Sequence, residues 1–337
     1  MIINNDLIEL SAFLGKNLDW VQGAGGNTSV KENGILWVKA SGYWLSDSDR
    51  NIFVPLDRKM ILDKIALNHE DLSTSKLFEN KYQNLRPSIE TTMHAIMPHK
   101  FIAHIHSANV ISYAVLSNCN ELLNYKLAGF KWLLIPYIRP GLPLTQQINS
   151  EDLTNIDIII LENHGLVIGG ETKEEVLSLL HDVEKKLSRP LRKNTIKSDV
   201  KKLINLICNL DYKLPKHHFC HTLASDELSI EVLKNNALYP DHVIFLGPSK
   251  IPVVSADELD NLINKNSQLI PYKVIVIKEV GVVVHKSLSE NAEEMLFCLT
   301  NVILRLQSKD KLKFLTQQDE ANLIGWDAEK YRKLIQR

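Results

Sequence analysis

Phe101-Ile102-Ala103-His104-Ile105-His106-Ser107 is a β-type run that carries two histidines at its end. Successive side chains of a strand point to opposite faces, so His104 and His106 share a face and both imidazoles can reach one ion. A second apolar run, Ile158-Ile159-Ile160-Leu161, leads through Glu162 and Asn163 to His164 and Gly165. A histidine at a strand end, followed by a residue that lets the backbone turn sharply, suits a third ligand. Three neutral imidazoles leave a coordination position open, the pattern of a catalytic rather than a structural zinc site. Pro87-Ser88-Ile89-Glu90 lies just upstream and supplies a carboxylate for the same site.

Outward from these runs, helices and strands are interspersed. The patterns predict a helix capped by Asp6 and running through Leu18, a strand from Ile35 to Lys39, and helices over 56–67, 88–97 and 110–116. A strand over 156–161 and a helix over 173–187 follow. The glycine loop Gly23-Ala24-Gly25-Gly26-Asn27 runs from helix to strand. A dinucleotide fingerprint needs strand, then GxGxxG, then helix, so a Rossmann reading is poor. The polar, basic, proline-bearing segment 188–199 marks a domain boundary. The expected division is a metal domain over 1–190, a linker over 191–215, a small α/β domain over 216–310 and a helical tail over 311–337.

A weak internal repeat lays Ile158–Ile168 over Val274–Val284, each reading apolar strand, glycine turn, second strand and acid-started helix. The ligand position His164 becomes Val280 in the second copy, which makes that copy metal-free.

Composition excludes several classes. The chain has 337 residues, 45% hydrophobic and 23% charged, with a formal charge of -1, an ordinary globular balance without an electrostatic footprint for nucleic acid. The basic stretch from Lys185 to Lys202 is interrupted by Pro190 and Asp199 and reads as a solvated linker. The four cysteines are far apart and form no CxxC, so no disulfide framework is expected. The N-terminus lacks a basic leader and no run approaches the roughly 18 apolar residues of a membrane span. A cytoplasmic setting without membrane or nucleic-acid partners is the expectation. His217-His218 with Cys220 and His221 clusters without a second half and reads as structural, as do the remaining histidines; His94, four residues after Glu90 on a helix, is a candidate for a supporting role.

Five motifs in order, Gly25-Gly26-Asn27-Thr28-Ser29-Val30, Trp37-Val38-Lys39-Ala40-Ser41-Gly42, Pro87-Ser88-Ile89-Glu90-Thr91, His104-Ile105-His106 and Glu162-Asn163-His164-Gly165-Leu166-Val167, resemble the class II aldolase/adducin family. The likeness points to its long-chain members, similar to the aldolase part of bifunctional rhamnulose-1-phosphate aldolase/alcohol dehydrogenases. It covers residues 5–190 and extends loosely through Pro240-Asp241-His242-Val243-Ile244 and Gly281-Val282-Val283-Val284. The resemblance implies an α/β/α domain with a mixed, largely antiparallel sheet, plus the smaller C-terminal α/β domain, assembled as a homo-oligomer, usually a tetramer with sites between subunits. It implies His104, His106 and His164 as ligands of a divalent ion, zinc first, with manganese, cobalt or iron also accepted by imidazole. Glu90 matches the acid/base carboxylate, and Asn27, Ser41, Gly42 and Ser88 match positions that hold a substrate phosphate. One departure is Ile89, where family aldolases often carry a second serine. Tyr137, in Pro136-Tyr137-Ile138-Arg139-Pro140-Gly141, resembles a tyrosine that some family aldolases present from a neighbouring subunit as proton donor. The implied activity is an aldolase-type lyase cleaving a small ketose, its phosphate or a hydroxy-keto acid through a metal-stabilised enediolate. Epimerases, dehydratases and decarboxylases of the family, and its non-catalytic adducins, are the alternatives.

Overall fold

The computed structural model describes residues 3–77, 85–193, 198–247, 250–265 and 272–324. The chain divides into two compact units, Met1–Ala114 with Asn118–Ser188, and Val115–Ser117 with Arg189–Arg337.

The first unit opens with α1 (Asn5–Gly15), β1 (Asn27–Glu32), β2 (Ile35–Lys39), β3 (Phe53–Asp57) and α2 (Arg58–Ala66). It continues with α3 (Thr91–Ile96), β4 (Phe101–Ile105), α4 (Ala108–Ala114) and α5 (Cys119–Lys126). Then follow β5 (Trp132–Ile135), α6 (Leu142–Asn149), β6 (Ile158–Leu161), β7 (Gly165–Gly170) and α7 (Lys173–Lys186). The strands form one sheet in the order β3-β2-β1-β4-β7-β6-β5. Each neighbouring pair is antiparallel except β5 with β6. Strands β4 and β6 are buried along their whole length, which requires a helical layer on each face. Met93 and Met97 at α3 pack with Leu144 and Ile148 of α6 over Ile102, Ile159 and Val167 on one face. Helices α1, α4 and α7 cover the other. The result is the mixed, largely antiparallel sheet in an α/β/α arrangement that the resemblance implies.

Period two then decides where the chemistry goes. Ile102 packs under α3, so His104 and His106, two and four residues on, project from that face toward the start of α3. On the adjacent strand Asn27 lies opposite His104, and Asn27, Ser29 and Lys31 share the α3 side.

Several boundaries differ from the sequence reading. Asn4, not Asp6, caps α1 by accepting from the Asp6 amide, and the helix stops at Gly15. Residues 53–57, whose last two fell within the expected helix over 56–67, form β3, and Asp57 caps α2 through the Met60 amide. Helix α3 starts at Thr91 rather than at Ser88, leaving Glu90 at its cap position. The helix expected over 110–116 begins and ends two residues earlier. Strand β1 was not anticipated, because Asn27-Thr28-Ser29 is a polar strand start whose buried hydroxyls are satisfied internally, Thr28 with Ser11 at 2.6 Å.

The second unit contains α8 (Val200–Ile207), β8 (Tyr212–Lys213), α9 (Glu227–Leu233), β9 (Val253–Val254) and α10 (Leu259–Lys265). It continues with β10 (Val274–Ile277), β11 (Gly281–His285), α11 (Glu290–Arg305) and α12 (Gln317–Ile324). The linker expected over 191–215 is corrected here, since α8 and β8 fall within it. Asp199 caps α8, and Leu203 and Ile207 are buried, so the end of the basic run, Lys201 and Lys202, lies on the exposed face of an amphipathic helix. In the expected C-terminal tail, α12 occupies 317–324, and residues 325–337 lie outside the described residues.

The second sheet, β8-β11-β10-β9, has the same order and strand senses as the β4-β7-β6-β5 half of the first. Leu161 pairs with Gly165 across one hairpin, and Ile277 pairs with Gly281 across the other. Asn163 and Glu279 take left-handed backbone at the same turn position, φ 51° and 58°. The His164 amide donates to the Leu161 carbonyl at 3.1 Å and the Val280 amide to the Ile277 carbonyl at 3.0 Å. Thr172 and Ser289 then cap the following helices in the same way. Carrying this register to the outer strand sets Tyr212 and Lys213 level with Ile102 and Ala103, so the positions of His104 and His106 fall on Leu214 and Lys216.

Candidate metal centre

His104 leaves β4, His106 stands just past its end, and His164 comes from the β6–β7 turn. All three are buried, and their ligand atoms lie within 4.8 Å of one another. The His104 and His106 Nε2 atoms are 3.1 Å apart. Two nitrogens on one tetrahedral ion, with bonds of about 2.0–2.1 Å, would be separated by about 3.3 Å, so the donor spacing fits such an ion. His104 Nδ1 lies 3.1 Å from the Leu166 carbonyl oxygen. A carbonyl can only accept, so Nδ1 carries the proton and Nε2 keeps its lone pair for the ion, the outer-shell bond that metal-binding histidines use.

Glu90 faces the same point. One carboxylate oxygen is 3.3 Å from His104 Nε2 and the other 3.4 Å from His164 Nε2. Burial alone would push its pKa up, but the His104 and His164 imidazoles, the Asn27 amide and His106 outweigh that and hold it at about 2. Asn27 donates to Glu90 Oε2 at 2.8 Å, and Oε1 is buried without a hydrogen-bond partner among the described residues.

The site depends on close backbone approach. A methyl group on Gly165 would stand 2.6 Å from the Ile105 carbonyl oxygen, 3.2 Å from the His106 ring and 3.4 Å from the His104 ring. Because the nearest atom is backbone, β7 would have to move from β4. Gly165→Ala is therefore expected to cost about 1–3 kcal/mol of stability, as overpacking does, and to weaken metal uptake. Thermal melts with and without added cobalt check this; an unchanged melt and full uptake would show that the strands can give.

Of the anion-holding candidates, Ser41 and Ser88 are brought side by side. The Ser41 amide donates to Arg86 O at 2.8 Å and the Ser88 amide to Lys39 O at 3.0 Å, around an Ala40–Pro87 bridge. Gly42 sits beside them in left-handed backbone, φ 86°. The Ser88 hydroxyl oxygen also accepts from the Glu90 amide at 3.3 Å. Asn27 joins Glu90 rather than these serines. Tyr137 is two residues past β5, three strands from β4 in sheet order. Adjacent strands lie about 4.8 Å apart, which sets β5 on the order of 14 Å from β4.

Sequence reasoning missed Lys39. It is 2% exposed, and its ammonium donates to Ala24 O at 3.0 Å and Tyr43 O at 2.6 Å, tying the glycine loop to the segment after Gly42. The available signal was a lysine closing the apolar strand Ile35-Leu36-Trp37-Val38.

The sheet, the buried histidine triad and the facing carboxylate define a metal-ready α/β domain. The chain belongs to the class II aldolase and adducin family, whose N-terminal domain model matches residues 5–188. It is similar to an uncharacterized oxidoreductase, YuxG, of Bacillus subtilis (strain 168), 27% identical over 213 residues, 57% of this chain and 30% of that protein. The chain thus spans under a third of that curated relative. Among solved structures it resembles the N-terminal class II aldolase domain of a conserved protein from Thermoplasma acidophilum, at 26% identity, TM-score 0.48, over 54% of this chain and 90% of the other. An L-fuculose 1-phosphate aldolase aligns at 18% identity, TM-score 0.40, over 55% and 85%. Among the described residues no helix is long and apolar enough to cross a membrane.

Proposed function

We propose that this chain is a divalent-metal-dependent aldolase-type lyase acting on a small ketose, its phosphate, or a hydroxy-keto acid. The observation that carries this reading is the Glu90 carboxylate set against the two ligand atoms, His104 Nε2 and His164 Nε2, at 3.3 and 3.4 Å within one buried cluster.

His104, His106 and His164 would hold the ion. A divalent ion there supplies Lewis-acid polarisation of the substrate's carbonyl and hydroxyl oxygens, which raises the acidity of the adjacent carbon. The Glu90 carboxylate, which faces the site, is assigned as the base: in the bond-forming direction Oε1 takes the proton from that carbon, whose electron pair then attacks the aldehyde. A proton donor quenches the new alkoxide, and cleavage runs the same steps in reverse. Tyr137 is assigned that role, contributed by a neighbouring subunit of a homo-oligomer because its own strand is remote from β4. Ser41, Gly42 and Ser88 offer an amide and two hydroxyls to an anionic group, and Asn27 keeps Glu90 aligned.

Zinc is the first candidate ion, with manganese, cobalt and iron next. Incubating metal-loaded protein with short ketose 1-phosphates and with hydroxy-keto acids, and following aldehyde release, tests the reading. Chelator-sensitive cleavage of at least one is expected; fully loaded protein that cleaves neither class would overturn it.

A further inference from the structure

We propose that His94 is a positioning residue for Glu90, acting through Asn27 as a neutral imidazole with its proton on Nε2. Three buried side-chain hydrogen bonds run in series: Ser29 Oγ to His94 Nδ1 at 2.6 Å, His94 Nε2 to Asn27 Oδ1, and Asn27 Nδ2 to Glu90 Oε2 at 2.8 Å. Each direction follows from the next. An ionised carboxylate only accepts, so Asn27 must turn its N–H toward Glu90 and its oxygen toward His94. That oxygen also only accepts, so His94 Nε2 carries the hydrogen. Nδ1 is then a lone pair, and the Ser29 hydroxyl donates to it.

The alternative tautomer breaks the series. With its proton on Nδ1, His94 would present a lone pair at Nε2 and the Asn27 amide would turn over, setting its oxygen against the Glu90 carboxylate. Two acceptors would then face each other in a buried site, at the expense of the hydrogen bond that fixes Oε2 and leaves Oε1 free. Burial favours the neutral ring, pushing the His94 pKa down to about 3 although Glu90 pulls it up. His94 is four residues past Glu90 on α3, and Ser29 and Asn27 share one face of β1, so helix and strand are pinned together at the base of the site.

The kinetic part of this inference rests on the lyase reading; the spectroscopic part does not. The test uses full-length, cobalt-loaded protein carrying His94→Gln, His94→Asn, Asn27→Ala or the His94→Asn/Asn27→Ala pair. A glutamine amide nitrogen can stand where Nε2 stands, whereas an asparagine amide nitrogen stands where Nδ1 does. The expected result is a wild-type cobalt absorption spectrum and affinity for His94→Gln. A changed spectrum at unchanged affinity and a turnover lower by about 10–100-fold are expected for His94→Asn, because the carboxylate beside the ion is then held in a different place. If His94 acts through Asn27, the double variant equals Asn27→Ala alone. Equal behaviour of the glutamine and asparagine variants, or a double variant worse by the product of the singles, would overturn the inference. If wild-type protein binds cobalt but turns over no substrate, the lyase reading fails while the spectra still decide the role of His94.

Discussion

Replacing His104 and His106 together by alanine is expected to take the protein from near one divalent ion per chain to none detectable, and turnover to background with it. The three imidazoles are the nitrogen donors of the cluster, and removing two leaves His164 and the Glu90 carboxylate, fewer than the three protein ligands an open catalytic site needs. His104 sits inside β4, so the variant also leaves a buried cavity, and its folding must be matched by circular dichroism and melting before metal is compared. Elemental mass spectrometry on untagged protein gives the stoichiometry. Wild-type protein that takes up no zinc, manganese or cobalt would remove the metal centre and the lyase reading together.

Glu90→Gln is expected to keep the metal and lose the chemistry. Glutamine has nearly the same shape and can still meet the Asn27 amide through its oxygen, but it cannot take a proton. Loss of a positioned base costs roughly 10²–10⁴ in rate, so kcat should fall by that factor with little change in KM. Glu90 occupies the cap position of α3 without a side-chain capping bond, so the helix start does not depend on its charge. A fall of less than about tenfold would hand the proton transfer to another group, with the Tyr137→Phe variant the next comparison.

The parts of this fold that could be read directly are those where burial and periodicity agree. β4 and β6 are apolar and β-branched, and both ligand-bearing ends follow from period two or from a glycine turn. The three histidines were legible for that reason and Glu90 from its Pro-Ser-Ile-Glu motif, and the structure brings the four side chains together. The misses share a different cause. β1 begins with polar residues whose hydroxyls are satisfied by partners distant in sequence, such as Ser11 for Thr28 and His94 for Ser29, so no apolar alternation announces it. α8 turns its lysines outward and only a few apolar residues inward, and composition registers the lysines first. Lys39 satisfies its ammonium with carbonyls of two loops whose proximity exists only in the folded chain.

The paired hairpins carry a last consequence. Both keep a left-handed residue before the last turn position, a glycine opening the return strand, and an amide folded back on the strand it leaves. They differ at the residue between, His164 in one and Val280 in the other. The molecule thus contains its own control experiment, in which one backbone has been run with and without its imidazole. What persists in both copies is what the turn requires, and what changes is what the proposed metal centre requires. Architecture and reactivity are written on separate letters of the same short word, and either can be edited while the other is left to stand.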